Sequence, residues 1–198
     1  MLIRDNLIKT IENSFNTDTA VINDFKQFIG DHPADFFSKK LKSAHVTSSV
    51  FVVDESGEKT LLTHHAKFDK WLQMGGHWSD DGSIPEETVL MSSLREMKEE
   101  AFGGENIKYE LSNDGNALDL DIHAAGDHLH YDVCYLVRVS TLVPLVVTRE
   151  SKSLEWVDMN KILENSEKYE KRLTKMIEKY HEIVKPKLIK RSVFLKCS

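Results

Sequence analysis

The chain has 198 residues, of which 40% are hydrophobic and 29% are charged, and its formal net charge is −6. This composition is typical of a soluble globular domain with a small extension. The acidic balance argues against a general nucleic-acid-binding function, because such proteins need an excess of Lys and Arg to neutralise phosphates. No apolar run reaches the roughly 18 residues of a membrane span, and the N-terminus lacks the pattern of a signal peptide. We therefore expect a cytoplasmic protein without nucleic-acid or membrane partners.

The first forty or so residues have the periodicity of helices. Apolar residues recur at spacings of three and four at Ile3, Leu7, Ile8 and Ile11. Asn16 or Thr17 is placed to cap a second helix, and Pro33 to open a third. This pattern predicts a helical segment that packs on the residues that follow.

Strand patterns begin at His45. The segments HVTSSVFVVD and KTLLTHH have the composition of strands, and the turn residues 54–57 between them predict a hairpin. Further strands are predicted in IKYELS, ALDLDIH, HYDVCYLVRV and SLEWVDM.

Two long helices are predicted among these strands. Ser83 and Glu86 have the spacing of a capping box, which predicts a helix over residues 84–101 that stops near the glycines at 103–104. An amphipathic pattern predicts a closing helix over residues 166–184. Strands combined with a few long helices indicate a mixed sheet sandwiched between helices.

The first of these two helices carries acids on one face. Glu96, Glu99 and Glu100 are related by spacings of three and four residues, so their carboxylates converge. Like charges at these spacings repel one another, and Arg95 and Lys98 compensate only partly. A divalent cation would compensate fully, because Mg²⁺ prefers oxygen ligands and bridges to phosphates. Such triplets are also common on solvated helix faces, so the surrounding residues decide between the two interpretations.

Those surroundings closely resemble the Nudix box, whose pattern is G-x5-E-x7-R-E-U-x-E-E-x-G-U, where U is aliphatic. Glu87 lies eight positions before Arg95, and the run REMKEE matches the centre of the pattern. There are two departures. The interval from Gly76 to Arg95 is five residues longer than in the pattern, and Phe102 stands where the pattern has glycine, with Gly103 next.

The resemblance covers about residues 30 to 165. Segments such as KWLQMGGHWSDDG and HLHYDVCYLVRV are similar to those of a bacterial Nudix subgroup with a G-G-H-x-D loop and a short helical N-terminus, although Asp80 comes one place late. The resemblance implies an α/β fold, the Nudix α/β/α sandwich with a mixed sheet. Its expected parts are a helical N-terminal extension at residues 1–43, a Nudix hydrolase domain at 44–185 and a basic C-terminal tail at 186–198.

The resemblance also implies a metal site. Glu96, Glu99 and Glu100 match the acids that hold a catalytic Mg²⁺ or Mn²⁺ ion. In similar proteins, a backbone carbonyl at the position of Gly75 or Gly76 commonly completes the coordination.

Three further residues are assigned by the resemblance. Arg95 matches the arginine that orients the acids through a salt bridge, and Glu87 matches the box glutamate that supports the geometry of loop and helix. Glu150 lies where some Nudix enzymes carry a distal glutamate that contacts the metal or activates water. The catalytic base stays open among Glu150 and the three glutamates of the metal site.

Several side chains near the glycines are candidates for ligand contact. His77 directly follows the glycines and is the histidine best placed to meet a phosphate or a bound water. Phe68, Trp71 and Trp78 are near the same loop, where they can stack on a base or pack in the core.

Three other histidines form a possible cluster. His128 and His130 share one face of a predicted strand, and His123 is expected on a neighbouring strand, so three imidazoles can meet. No cysteine or carboxylate completes a familiar zinc spacing around them. We therefore predict that they line a pocket or form hydrogen bonds within the sheet rather than bind structural zinc.

The reaction implied by these features is the metal-dependent hydrolysis of a diphosphate linkage in a nucleoside diphosphate linked to another moiety. A diphosphate isomerase on the same scaffold is an alternative. It would need a further acid or a cysteine to protonate carbon, and Cys134 is the candidate cysteine. A second alternative is a non-catalytic nucleotide-binding Nudix domain, against which the intact REMKEE run argues. A homodimer is a further expectation by analogy with similar folds.

Overall fold

The computed structural model describes residues 3–15, 18–79, 87–112 and 115–186. The helices in these ranges are α1 Ile3–Glu12, α2 Thr19–Asp31, α3 Val89–Phe102, α4 Met159–Glu164 and α5 Lys171–Lys179. The strands are β1 Ala44–Val53, β2 Lys59–His65, β3 Lys70–Leu72, β4 Gly75–His77, β5 Tyr109–Leu111, β6 Asp119–Ala125, β7 His128–Val139 and β8 Ser151–Asp158. None of the described helices is long and apolar enough to cross a membrane.

The strands form one mixed sheet centred on β1 and β7. These two strands run parallel, with Ser49 opposite Cys134, and the other strand pairs are antiparallel. β2 pairs with β1, β3 and β8 pair with β2, β4 pairs with β1, and β5 and β6 pair with β7. The hairpin between β1 and β2 turns at Gly57, whose φ of +70° is accessible to glycine without steric cost. The predicted mixed sheet and hairpin are confirmed.

The alternation of β1 separates two cores. Val46, Val50 and Val52 pack on one face of the sheet in a cluster that includes residues of α1, α2 and α3. Phe51 and Val53 pack on the other face with α4 and α5. Because successive side chains of a strand point to opposite faces, one buried strand contributes to both cores. Helices therefore cover both faces of the sheet, which confirms the predicted α/β/α sandwich.

The N-terminal helices differ from the prediction at their ends. Asp18 caps α2, and its carboxylate accepts a hydrogen bond of 2.8 Å from the backbone N–H of Ala20. Asn16 and Thr17, which were predicted to cap this helix, lie outside the described residues. The third helix predicted to open at Pro33 is wrong, because the chain forms a series of turns there.

Helix α3 is shorter than predicted at its N-terminus. It begins at Val89, and the hydroxyl of Thr88 accepts a hydrogen bond of 3.2 Å from the backbone N–H of Met91. A short polar side chain at this position satisfies one of the free N–H groups of the first turn. The predicted start near Ile84 is therefore wrong, and the capping box at 83–86 lies outside the described residues.

The other end of α3 shows how the chain accommodates Phe102 in place of glycine. Phe102 is the last residue of the helix and is buried in the core. Gly103 then adopts a left-handed conformation with φ +62°, and the N–H of Gly104 donates to the carbonyl of Lys98 at 2.8 Å. The glycine cap that ends many helices is thus present, one residue later than in the box pattern.

The C-terminal part is less continuous than predicted. A 3₁₀ turn at Ser166–Lys168 precedes α5, and a π-helical turn at Tyr180–Val184 extends it. The strands β5 to β8 are confirmed, whereas α4 and the short strands β3 and β4 were not predicted. Residues 187–198 of the basic tail lie outside the described residues, and the domain boundaries stay predictions.

Candidate active site

A cleft of about 630 Å³ lies beside β4 and α3. Glu96 and Glu100 line it from α3, and Glu150 lines it from the turn before β8. Gly75 and Gly76 of β4 form part of the same wall. The fold therefore brings together five of the residues that the sequence predicted, from three separate parts of the chain.

Helix α3 approaches the two glycines at very short range. The N–H of Gly75 donates a hydrogen bond of 3.2 Å to Oε1 of Glu100. A Cβ on Gly76 would lie 2.5 Å from Cδ of Glu96, and a Cβ on Gly75 would lie 2.6 Å from Cβ of Ser49. Any side chain at these positions would collide with its neighbours. Glycine therefore allows the carboxylates to lie directly against the backbone of β4.

Arg95 is the centre of a hydrogen-bond network at this site. Its Nε donates to Oε1 of Glu87 at 2.8 Å. Its Nη1 donates to Oε1 of Glu96 at 2.8 Å and to Oε2 of Glu99 at 3.1 Å. Its Nη2 donates to the backbone carbonyl of His77 at 2.9 Å. One guanidinium thus connects two of the three acids of α3 to the end of β4.

Glu87 connects the same network to the chain that follows β4. Its side chain is buried, and its Oε2 accepts a hydrogen bond of 2.9 Å from the backbone N–H of Ser79. Because its Oε1 is bonded to Arg95, both carboxylate oxygens are satisfied. This placement suits the supporting position expected from the box pattern rather than direct contact with a ligand.

Burial and neighbouring carboxylates raise the pKa of two acids of the cleft. Burial raises the pKa of Glu96, an effect that Arg95 partly offsets and that Glu99 and Glu150 increase. Burial, together with the neighbouring carboxylates, raises the pKa of Glu100 to about 8. A group of carboxylates held this close together favours a bound cation, and its oxygen donors suit a hard ion such as Mg²⁺ or Mn²⁺. The residues present therefore fit the metal that the resemblance implies.

The pKa of Glu100 predicts how the stability of the metal-free protein depends on pH. Its folded-state pKa of about 8 lies above the ordinary 4.5, so the folded protein retains a proton that the unfolded chain releases. The contribution of Glu100 to stability is complete below about pH 4.5 and is lost as the pH rises to about 8. In EDTA, we expect the free energy of unfolding of the wild type to fall across this window relative to Glu100→Gln, by on the order of a few kcal/mol. The measurement is the free energy of unfolding in urea, for both proteins, at several pH values. The same pH dependence in the wild type and in Glu100→Gln would contradict this.

Two predicted residues lie away from the lining of the cleft. Trp78 is only 5% exposed, and its ring packs at 6.2 Å from that of Phe36 and 5.1 Å from that of Phe37. It packs in the core, which is one of the two placements that the sequence left open for this ring. Glu99 is the most exposed of the three acids of α3, with 53% of its side chain accessible, and is held by Arg95.

Other predicted side chains do line the cleft. His77 lines it from the end of β4, and Phe68 and Trp71 line it from the segment after β2. The ring of Trp71 stacks on His64 at a centroid distance of 5.0 Å, whereas Phe68 is 55% exposed. Two aromatic faces are therefore available at the cleft for contact with a base.

The histidines form a larger cluster than the sequence predicted. Nε2 of His128 lies 3.0 Å from Nε2 of His130, and the ring of His45 stacks on His128 at 4.8 Å. The ring of His123 lies 5.4 Å from that of His130, and its Nδ1 is 2.8 Å from Oδ2 of Asp121. Burial and the neighbouring histidines lower the pKa of His130 to about 3. His123 and His130 line the cleft, as predicted, and His45 was missed.

A buried polar network that the sequence analysis missed forms another wall of the cleft. Arg172 of α5 pairs with Asp132 of β7. Asp132 also accepts hydrogen bonds from the hydroxyls of Thr47 at 2.8 Å and Ser49 at 2.5 Å. The signal was visible in β1, where polar residues at positions 45 and 47–49 lie on a strand that is buried throughout.

Basic side chains supply the opposite charge to the acids. Lys39, Lys67 and Arg149 line the cleft together with the glutamates. None of them was predicted as a site residue, because scattered cations have no recognisable spacing. In a chain with a net charge of −6, they provide local positive potential for an anionic ligand.

No protein-family model matches this sequence, and the comparison with curated proteins finds no match. Solved structures, in contrast, share its fold. An Ap4A hydrolase of C. elegans, solved as a binary complex, has a TM-score of 0.58 and 15% sequence identity, over 71% of this chain and 98% of that chain.

Two other solved structures give the same result. A hydrolase of the NUDIX family from Clostridium perfringens has a TM-score of 0.53 and 26% identity, over 68% of this chain and 95% of that chain. The NUDIX domain of Shewanella oneidensis NrtR, complexed with ADP ribose, has a TM-score of 0.54 and 15% identity, over 77% of this chain and 96% of that chain. At these identities the likeness is one of fold.

Proposed function

We propose that this chain, which has the Nudix fold, hydrolyses a diphosphate linkage in a nucleoside diphosphate linked to another moiety, and that it requires a divalent cation. The observation that carries the proposal is the packing of Glu96 and Glu100 against the glycines of β4 at the edge of a cleft. These are residues that the Nudix box pattern assigns to the catalytic metal site.

The metal would be held by carboxylates of α3. Glu96, Glu99 and Glu100 are the proposed ligands, and the carbonyl of Gly75 or Gly76 is the proposed backbone ligand. When bound, Mg²⁺ or Mn²⁺ polarises a diphosphate and lowers the pKa of a coordinated water.

The protein's own residues orient these carboxylates and accept the proton of the attacking water. Arg95 fixes Glu96 and Glu99 by hydrogen bonds, and Glu87 fixes Arg95 in turn. The proton acceptor is one of the three acids of α3 or Glu150, an exposed residue that lines the cleft. A carboxylate within hydrogen-bond reach of the attacking water could accept its proton as a general base.

The lining of the cleft supports a nucleotide derivative as substrate. Lys67 and Arg149 provide positive charge for phosphates, and Phe68 and Trp71 provide aromatic faces for a base. The structural neighbours include an Ap4A hydrolase and a domain bound to ADP ribose. Ap4A and ADP ribose both contain adenosine joined to phosphates, which agrees with the proposed substrate class. The cytoplasmic location and the homodimer stay predictions.

Cys134 is unsuited to the proton transfer that the isomerase alternative requires. Cys134 is 0% exposed, and its Sγ lies 3.5 Å from Sδ of Met176 in the second core. Burial raises the pKa of this thiol to about 12. A buried, protonated thiol outside the cleft cannot transfer a proton to a substrate bound there.

We expect turnover to depend on an added divalent ion. Treatment with EDTA should abolish phosphate-bond hydrolysis, and Mg²⁺ or Mn²⁺ should restore it, because the carboxylates of α3 cannot stabilise a diphosphate without a cation. The measurement is product release from nucleotide sugars, ADP-ribose, dinucleoside polyphosphates, NADH and nucleoside triphosphates, with each metal in turn. Full activity in EDTA would contradict the metal requirement. Tight binding of one of these compounds without turnover would instead support the non-catalytic alternative.

A further inference from the structure

We propose that His45, His128 and His130 form a second metal site, which binds one divalent transition-metal ion such as Zn²⁺ and shares no ligand with the glutamate site. Each histidine offers one ring nitrogen, and these three atoms lie within 4.8 Å of one another. Imidazole is a common ligand of zinc, cobalt and nickel, whereas magnesium prefers oxygen. The two sites therefore differ in the ions that they prefer.

The central strands of the sheet hold these histidines in place. His45 of β1 is opposite His130 of β7 in the parallel register. His128 is two residues before His130, so both side chains project from the same face of β7. The three ligands thus come from the beginnings of two paired strands rather than from loops. A rigid backbone of this kind lowers the entropic cost of assembling a site.

Hydrogen bonds favour the tautomer of His128 that a metal requires. Its Nδ1 lies 3.2 Å from Oδ1 of Asp127, and a ring that donates from Nδ1 has its lone pair on Nε2. A carboxylate behind a histidine is the usual way in which proteins orient a metal ligand. His45 has a longer contact of the same kind, with Nδ1 at 3.5 Å from the carbonyl of Leu41.

The separation of the nitrogens is also close to that of a metal site. Nε2 of His128 and Nε2 of His130 are 3.0 Å apart. Two nitrogens bound to one tetrahedral zinc ion, each at about 2.0 to 2.1 Å, lie about 3.3 Å apart. A shift of a few tenths of an ångström would therefore bring this pair to the spacing of two zinc ligands, and His45 would complete the site from within 4.8 Å.

A single hydrogen bond between His128 and His130 is the simpler explanation of that short contact. It accounts for two of the rings but not for the third ligand atom of His45, which is supplied from another strand. The two explanations predict different results when metal is added. A metal site would bind an ion that prefers imidazole ligands, whereas a hydrogen-bonded pair of histidines would not.

The test is a titration with Co²⁺, followed by visible absorption. The protein is first stripped of bound metal, and Mg²⁺ is then kept in excess throughout the titration. Mg²⁺ competes for the glutamates, so we expect one equivalent of Co²⁺ to give the intense bands of low-symmetry coordination. His128→Gln and His130→Gln should each weaken this binding by at least about a hundredfold. Zn²⁺ should raise the melting temperature of the wild type but not of the His128→Gln protein, and this second measurement does not depend on the His130 variant folding.

Two matched variants serve as controls. His32→Gln removes a histidine of the loop after α2, whose ring packs on Phe28, and should leave Co²⁺ binding unchanged. Glu100→Gln alters the glutamate site and should also leave it unchanged. The proposal is overturned if the wild type binds no Co²⁺ under excess Mg²⁺. It is equally overturned if binding survives in the His128 and His130 variants or is lost in Glu100→Gln.

Discussion

Replacing Glu100 by glutamine should lower kcat by on the order of a hundredfold or more. Glu100 lines the cleft and is only 7% exposed, and its Oε1 accepts a hydrogen bond from the N–H of Gly75. Glutamine preserves the size of the side chain and can keep that hydrogen bond. It removes the negative charge with which we propose that the carboxylate holds the cation or accepts a proton. Because the charge is costly to bury without metal, the variant in EDTA should be at least as stable as the wild type.

The control for this variant is Glu110→Gln. Glu110 lies on β5, and 76% of its side chain is exposed, with Arg138 at 3.5 Å. The same chemical change there should leave kcat within about twofold of the wild type, since exposed ion pairs contribute little. The two variants are compared by steady-state kinetics with Mg²⁺ and by melting curves in EDTA. If Glu100→Gln turned over substrate like Glu110→Gln, the acidic face of α3 would be a solvated surface.

The acids of the site could be predicted because their geometry is local. Glu96, Glu99 and Glu100 lie within little more than one helical turn, so their spacing alone fixes the face they share. The close approach of Glu96 to Gly76 was expected only through the box pattern, because the distance between a helix and a strand depends on packing. Local periodicity gives an element and its faces, but it does not give the neighbours of that element.

His45 and Arg172, which the sequence did not predict, reach their partners through strand register and through packing between distant elements. His45 meets His130 because β1 and β7 pair in parallel, and a shift of one residue would place them on opposite faces. Arg172 reaches Asp132 from the last helix of the described chain. No periodicity in the sequence specifies such a register, because many registers bury the same number of apolar residues.

The two ends of the long interval between the glycines and α3 are held together by hydrogen bonds. The N–H of Ser79 donates to Glu87, and Glu87 accepts from Arg95. The chain therefore leaves β4 and returns to α3 at points that are joined by one buried carboxylate. Extra residues between these points need not alter the position of α3, since the cost of closing a longer loop rises only slowly with its length.

Removing Arg95 should destabilise the protein far more than removing an exposed cation. In Arg95→Met, Glu87 would keep a charge that is only 1% exposed but would lose the partner of its Oε1. Breaking a buried ion pair from one side costs about 3 to 5 kcal/mol, because the remaining charge is uncompensated. For a protein of this size, the melting temperature should fall by roughly 10 °C.

The comparison that decides this prediction is Lys152→Met, measured by urea unfolding in EDTA at pH 7. Lys152 pairs with Asp69 at 2.5 Å, but both side chains are largely exposed, so its loss should cost less than about 1 kcal/mol. The double variant Arg95→Met with Glu87→Gln should recover part of the lost stability, because glutamine can be buried without a charge and can still accept from the N–H of Ser79. If Arg95→Met were no less stable than Lys152→Met, Glu87 would not depend on the guanidinium, and the network around Arg95 would not be what holds α3 against β4.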